Sequence, residues 1–101
     1  SAEKDFLQYI SLNKKNWLVY IFLGDSYFNS KRYQEGIVYY DLAIKYADKN
    51  IDNSITYFYR GFSKKNLNKI SAACQDFETA SKLAPDNKKF EKFYKGNCNL
   101  K

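Results

Sequence analysis

Chemistry in this 101-residue chain would have to come from the few side chains able to move a proton, attack a carbonyl or hold a metal. Histidine, the residue that titrates closest to neutral pH, is absent. The acids Asp76 and Glu78 are two residues apart, so on a helix they point to different sides and form no convergent acid–base pair. Cys74 and Cys98 stand 24 residues apart with no CxxC around either, and the histidines of a common zinc site are missing. That pattern predicts two free thiols and leaves the redox compartment open. The four glycines are isolated, so no phosphate-cradling loop is formed. The expectation is a non-enzymatic protein with no catalytic residue, no metal and no cofactor.

What the chain has in abundance is ring surface. Ten Tyr, eight Phe and one Trp sit within a 45% hydrophobic composition, which excludes a disordered chain. The length bounds one domain. With only four Gly and one Pro, the turn punctuation of an all-β domain is missing, and helix is the natural reading. A net charge of +6 permits weak attraction to acidic partners, although a solvated basic surface is the favoured reading. No apolar run approaches 18 residues and no targeting pattern is visible; the sequence therefore predicts a soluble chain and gives no location.

The elements that carry these rings repeat. Tyr20 and Tyr57, Gly24 and Gly61, Gly36 and Ala73, Tyr40 and Phe77, and Ala43 and Ala80 are each 37 residues apart. From Tyr33, the apolar or small residues Gly36, Ile37, Tyr40, Ala43, Ile44 and Ala47 fall on one face of a 3.6-residue helix, and Ile70, Ala73, Phe77, Ala80 and Leu83 repeat the pattern. Small residues at Gly24, Gly36, Gly61 and Ala73 suit helix crossings, where axes 8–10 Å apart leave no room for bulk.

A large residue, then Leu23, Gly24 and Tyr27, followed by Gly36, Tyr40 and Ala43, and in the second copy Ala73, Phe77, Ala80 and Pro85, resembles the tetratricopeptide repeat, whose period is 34. The resemblance implies an all-α fold, a short α-solenoid of antiparallel helix hairpins with about two full repeats and a capping helix at each end. It divides the single domain 1–101 into an N-terminal helix within 1–16, repeat one at 17–50, a linker insertion at 51–53, repeat two at 54–87 and a C-terminal capping helix within 88–101. Six helices are expected, the first over Glu3–Leu12. Arg60 stands where the family usually has Leu, and Lys64 where it usually has Tyr.

In that family the first helix of each unit lines a concave face where extended peptides or partner helices lie. The register places Leu18, Ile21, Phe22, Asp25 and Phe28 there from unit one, and Ile55, Phe58, Tyr59, Phe62 and Lys65 from unit two. Phe22, Phe58 and Tyr59 are expected to be exposed; Phe28 and Phe62 read equally well as covered by neighbouring helices. One subclass grips an acidic C-terminal carboxylate with Lys and Asn, but here Ile21, Asp25, Tyr59 and Phe93 occupy four of those positions and only Lys89 agrees. The implied partner is another protein or peptide of apolar or aromatic character, held as an extended segment or amphipathic helix. An architectural or self-associating segment of a longer array is the alternative. A basic edge of Lys31, Arg32, Lys64, Lys65 and Lys69 raises nucleic acid as a weaker possibility, disfavoured because charges and rings fall on different faces.

Overall fold

A computed structural model describes residues 16–48 and 52–98 as five helices: α1 Trp17–Asn29, α2 Tyr33–Tyr46, α3 Ser54–Asn66, α4 Ile70–Leu83 and α5 Lys88–Asn97. No strand occurs among the described residues. The helix expected over Glu3–Leu12 lies outside them. Helices α1 and α2 form one antiparallel hairpin and α3 and α4 the next, α2 packs on α3, and α5 packs on α4. This is an all-α stack of helix hairpins.

The 37-residue offset read from side chains is present in the backbone. Helix α1 begins at 17 and α3 at 54, and α2 begins at 33 and α4 at 70. Even the turns match. Lys31 and Asn68 both take left-handed backbone, with φ of 61° and 63°. The amide after each reaches back five residues, Arg32 to the Tyr27 carbonyl at 2.8 Å and Lys69 to that of Lys64 at 2.9 Å, and so satisfies a helix-end acceptor. Three of the five helix starts are capped by side chains, those of α1, α3 and α5. Asn16 accepts from the Leu18 amide and Asn87 from that of Phe90, each at 3.1 Å. At α3 it is Asp52, one residue before the cap position, that accepts from the Ser54 amide at 2.9 Å.

Small residues hold the crossings close. A Cβ at Gly24 would lie 2.6 Å from the Tyr40 ring, and one at Gly61 2.9 Å from both the Asp76 Cβ and the Phe77 ring. Both hairpins therefore depend on these glycines for the approach of their partner helix. Tyr20, Leu23, Tyr27, Tyr40 and Ala43 are buried in the first hairpin. In the second, Phe58, Ala73, Phe77 and Ala80 form a continuous cluster with Phe90 of α5.

The two family departures are explained together by a third residue. Arg60 donates to both oxygens of Asp76, at 2.9 and 2.7 Å, and Lys64 lies 3.0 Å from the same carboxylate. Arg60 also reaches Asp41 on α2 at 2.9 Å, tying the two hairpins together. The Asp76 side chain is 4% exposed and that of Arg60 17%, so the charges are paired where water scarcely reaches. Burial opposes the charged form of Arg60, but the hydrogen bonds and charges of Asp76 and Asp41 outweigh it and hold its pKa above the usual value.

One expectation is overturned. Cys74 and Cys98 are not free thiols but a disulfide, with Cα atoms 5.7 Å apart. The sequence gives no hint of this because the pairing is tertiary: Cys74 sits within α4, and Cys98 caps the far end of α5 as that helix packs back along α4. Closing a loop of 24 residues is worth about 3 kcal/mol through the unfolded chain. Cys74→Ser, or full reduction, is expected to lower the melting temperature by about 10–20 °C, read by thermal circular dichroism with and without reductant.

Candidate peptide groove

Helix α1, WLVYIFLGDSYFN, is apolar nearly all round, an arrangement that ordinarily goes with burial on every side. Here Val19, Tyr20, Leu23 and Tyr27 face the hairpin core, while Leu18 and Phe22 are exposed, Phe22 to 61%. Ile55 on α3 is exposed to the same 61%. Ile21, Asp25 and Tyr59 are half-buried. The side chains along α1 and α3 thus form an inner wall that is apolar and only partly covered.

The covered part lies toward α5 and corrects the register reading. Phe58, expected to be exposed, is buried at 3%. Its ring packs at centroid distances of 4.8 Å from Phe90, 5.2 Å from Phe93 and 5.7 Å from Phe77. Phe62 is half-buried between Phe28 at 5.6 Å and Phe93 at 5.3 Å. The terminal helix, with Phe90 and Phe93 turned inward, accounts for the closure. Phe28 is likewise half-buried, edge-on to Tyr59 and Phe62 across the α1–α3 seam.

Two cavities open on this wall, and Tyr59 lines both. One of about 190 Å³, between α1 and α3, is bounded by Asp25, Phe28, Asn29 and Tyr59. The other, of about 180 Å³ between α3 and the start of α5, is bounded by Ile55, Phe58, Tyr59, Asn87, Lys89 and Phe90. The wall is polarised, with a carboxylate at one cavity and an ammonium at the other. Asp25 accepts a hydrogen bond from the Tyr40 hydroxyl. Burial raises the Asp25 pKa above the ordinary value, and the Tyr40 bond only partly offsets this; burial, followed by the Asp25 bond and charge, raises that of Tyr40. Lys89 carries its ammonium over the Phe58 ring at 5.7 Å.

Asn29 and Asn87 were not read as groove residues from the sequence. Asn29 lies one turn beyond Asp25 on the same stripe, a signal that periodicity could have supplied; Asn87 reads only as a helix cap until α5 is docked. The basic edge is largely engaged in internal contacts. Lys64 pairs with Asp76, Arg32 with Glu35 at 2.6 Å, and Lys65 lies over the rings of Phe62 and Phe93. Lys31 and Lys69 are exposed.

The family comparison falls on the first hairpin. Residues 19–50, covering nearly all of α1 and all of α2, match the family model of the tetratricopeptide repeat. The chain carries a tetratricopeptide repeat. The second hairpin, outside that match, has the same helix lengths and turn geometry as this tetratricopeptide repeat. Tetratricopeptide repeats generally mediate protein–protein interaction, bind proteins or peptides, and are typically non-enzymatic. No curated protein matches the chain. Among the described residues no helix is long and apolar enough to cross a membrane.

Proposed function

We propose that the chain is a protein-interaction module that holds an extended peptide or amphipathic helix along the inner wall of α1 and α3. The observation that carries this reading is the pair of cavities either side of Tyr59, one of them lined by exposed Ile55, on first helices that also expose Leu18. Spaced hollows between exposed apolar side chains suit alternate side chains of one bound segment. The contact residues are Leu18, Ile21, Phe22, Asp25, Ile55 and Tyr59, with Phe58 and Phe62 forming the floor. The bridge between Cys74 and Cys98 supports work in an oxidising setting, since reducing compartments keep thiols apart.

The test is photo-cross-linking from a probe residue at Leu18, comparing the otherwise unchanged protein with the Phe22→Ala, Tyr59→Ala double variant. Segments captured by the first and lost by at least about tenfold with the second are the expected result. Equal capture by both would remove the groove. Sedimentation velocity covers the competing self-associating role: a concentration-dependent dimer abolished by Ile55→Asp would mean that a second copy fills the wall instead.

A further inference from the structure

We propose that the cavity between α1 and α3 is a pocket for a basic side chain, a lysine ammonium or arginine guanidinium, presented by the segment in the groove. The inference rests on the groove reading and names the chemistry of its occupant. Among the described residues Asp25 is the only charged one lining this cavity, and the Tyr40 hydroxyl is its hydrogen-bond partner on the hairpin side. No basic residue pairs with it among the described residues. The bases of the adjoining helix α3 are engaged elsewhere, Arg60 and Lys64 on Asp76 and Lys65 over Phe62 and Phe93. Among the described residues, a half-buried carboxylate facing an open hollow is therefore left without a counter-charge.

The rest of the lining suits a cation. Phe28 and Tyr59 stand nearly perpendicular, their centroids 5.2 Å apart and their planes at 72°. Rings attract an ammonium or guanidinium through their negative faces, and do so more strongly where water is thinned out. Asn29 supplies an amide oxygen to a second N–H of the guest. An acidic guest would meet repulsion from Asp25, and an aliphatic one would leave the carboxylate desolvated without compensation. The raised pKa of Asp25 agrees, because burial disfavours its charge and a bound cation would restore it. About 190 Å³ accommodates the end of one long side chain, not a whole residue with its neighbours.

Two probes test the pocket separately from the groove. The first is n-butylguanidinium and n-butylammonium, with butyramide as the neutral control, titrated against the whole chain while amide shifts are followed by NMR. The cations are expected to move Asp25, Phe28, Asn29 and Tyr59 saturably and the amide not to. Asp25→Asn keeps an oxygen for the Tyr40 hydroxyl, so the melting temperature should hold while cation affinity falls about 10- to 100-fold. The second is a set of twelve-residue apolar peptides differing only in a central Lys, Arg, norleucine or Glu. Tighter binding of the Lys and Arg peptides, lost in Asp25→Asn, supports the pocket. Peptides that bind alike whatever the central residue overturn it while leaving the groove standing. Cations that bind where no peptide does support the pocket and remove the groove. Butylguanidinium that shifts none of the four residues overturns the pocket directly.

Discussion

Phe58→Ala is expected to lower the free energy of unfolding by about 3–5 kcal/mol. The ring is 3% exposed and touches Phe77 of α4 and Phe90 and Phe93 of α5, so three helices meet on it. Its neighbours are themselves rings with few rotamers, and they cannot collapse into the space an alanine would leave. The loss thus includes both the transfer term and a persistent cavity. Urea titration followed by circular dichroism should show a lower midpoint at an unchanged slope, because the same surface is exposed on unfolding. Ile55→Ala, three residues earlier and 61% exposed, should change stability by no more than about 0.5 kcal/mol. Equal costs at the two positions would mean that the last helix does not cover Phe58 in solution.

Asp76→Ala carries a comparable loss, about 3–5 kcal/mol, for a different reason. Removing the carboxylate strips Arg60 of two hydrogen bonds and Lys64 of its ion pair with Asp76, leaving positive charge against a poorly hydrated crossing. Arg60 would retain Asp41, which is surface-exposed and can compensate only in part. The check is a double-mutant cycle. Arg60→Leu placed on Asp76→Ala removes the stranded guanidinium and supplies the apolar residue usual for the family, so the double variant should recover part of the loss. Additive losses would show that Arg60 and Asp76 act independently, contrary to the bidentate geometry.

The fold was legible because its main signals are local or periodic. Gly24, Gly36, Gly61 and Ala73 mark crossings by size alone, and the 37-residue stride fixes both hairpins before any contact is known. The helix starting at Lys88 could be read from Asn87 and Pro85. What could not be read depends on how the last helix docks. Phe58 belongs by register to the inner wall and by contact to the core, and only the placement of Phe90 and Phe93 decides between them. Cys74 and Cys98 likewise meet only once α5 lies along α4. Arg60 and Lys64 look like departures from the repeat until Asp76, 16 residues beyond Arg60, turns out to be their shared partner. Of the groove, the stripe Leu18, Phe22 and Asp25 follows from helical spacing, whereas its division into two hollows around Tyr59 requires the angle between hairpins.

The sulfur–sulfur link also shapes the response of the chain to tension. In a stack where each layer grips only the next, pulling on the two ends would peel layers off from either side. Here the stretch from Cys74 to Cys98 is a closed loop bypassed by a covalent shortcut, so force runs through the sulfurs and never loads the residues between. Roughly 80 Å of contour is withheld from extension until that link is reduced.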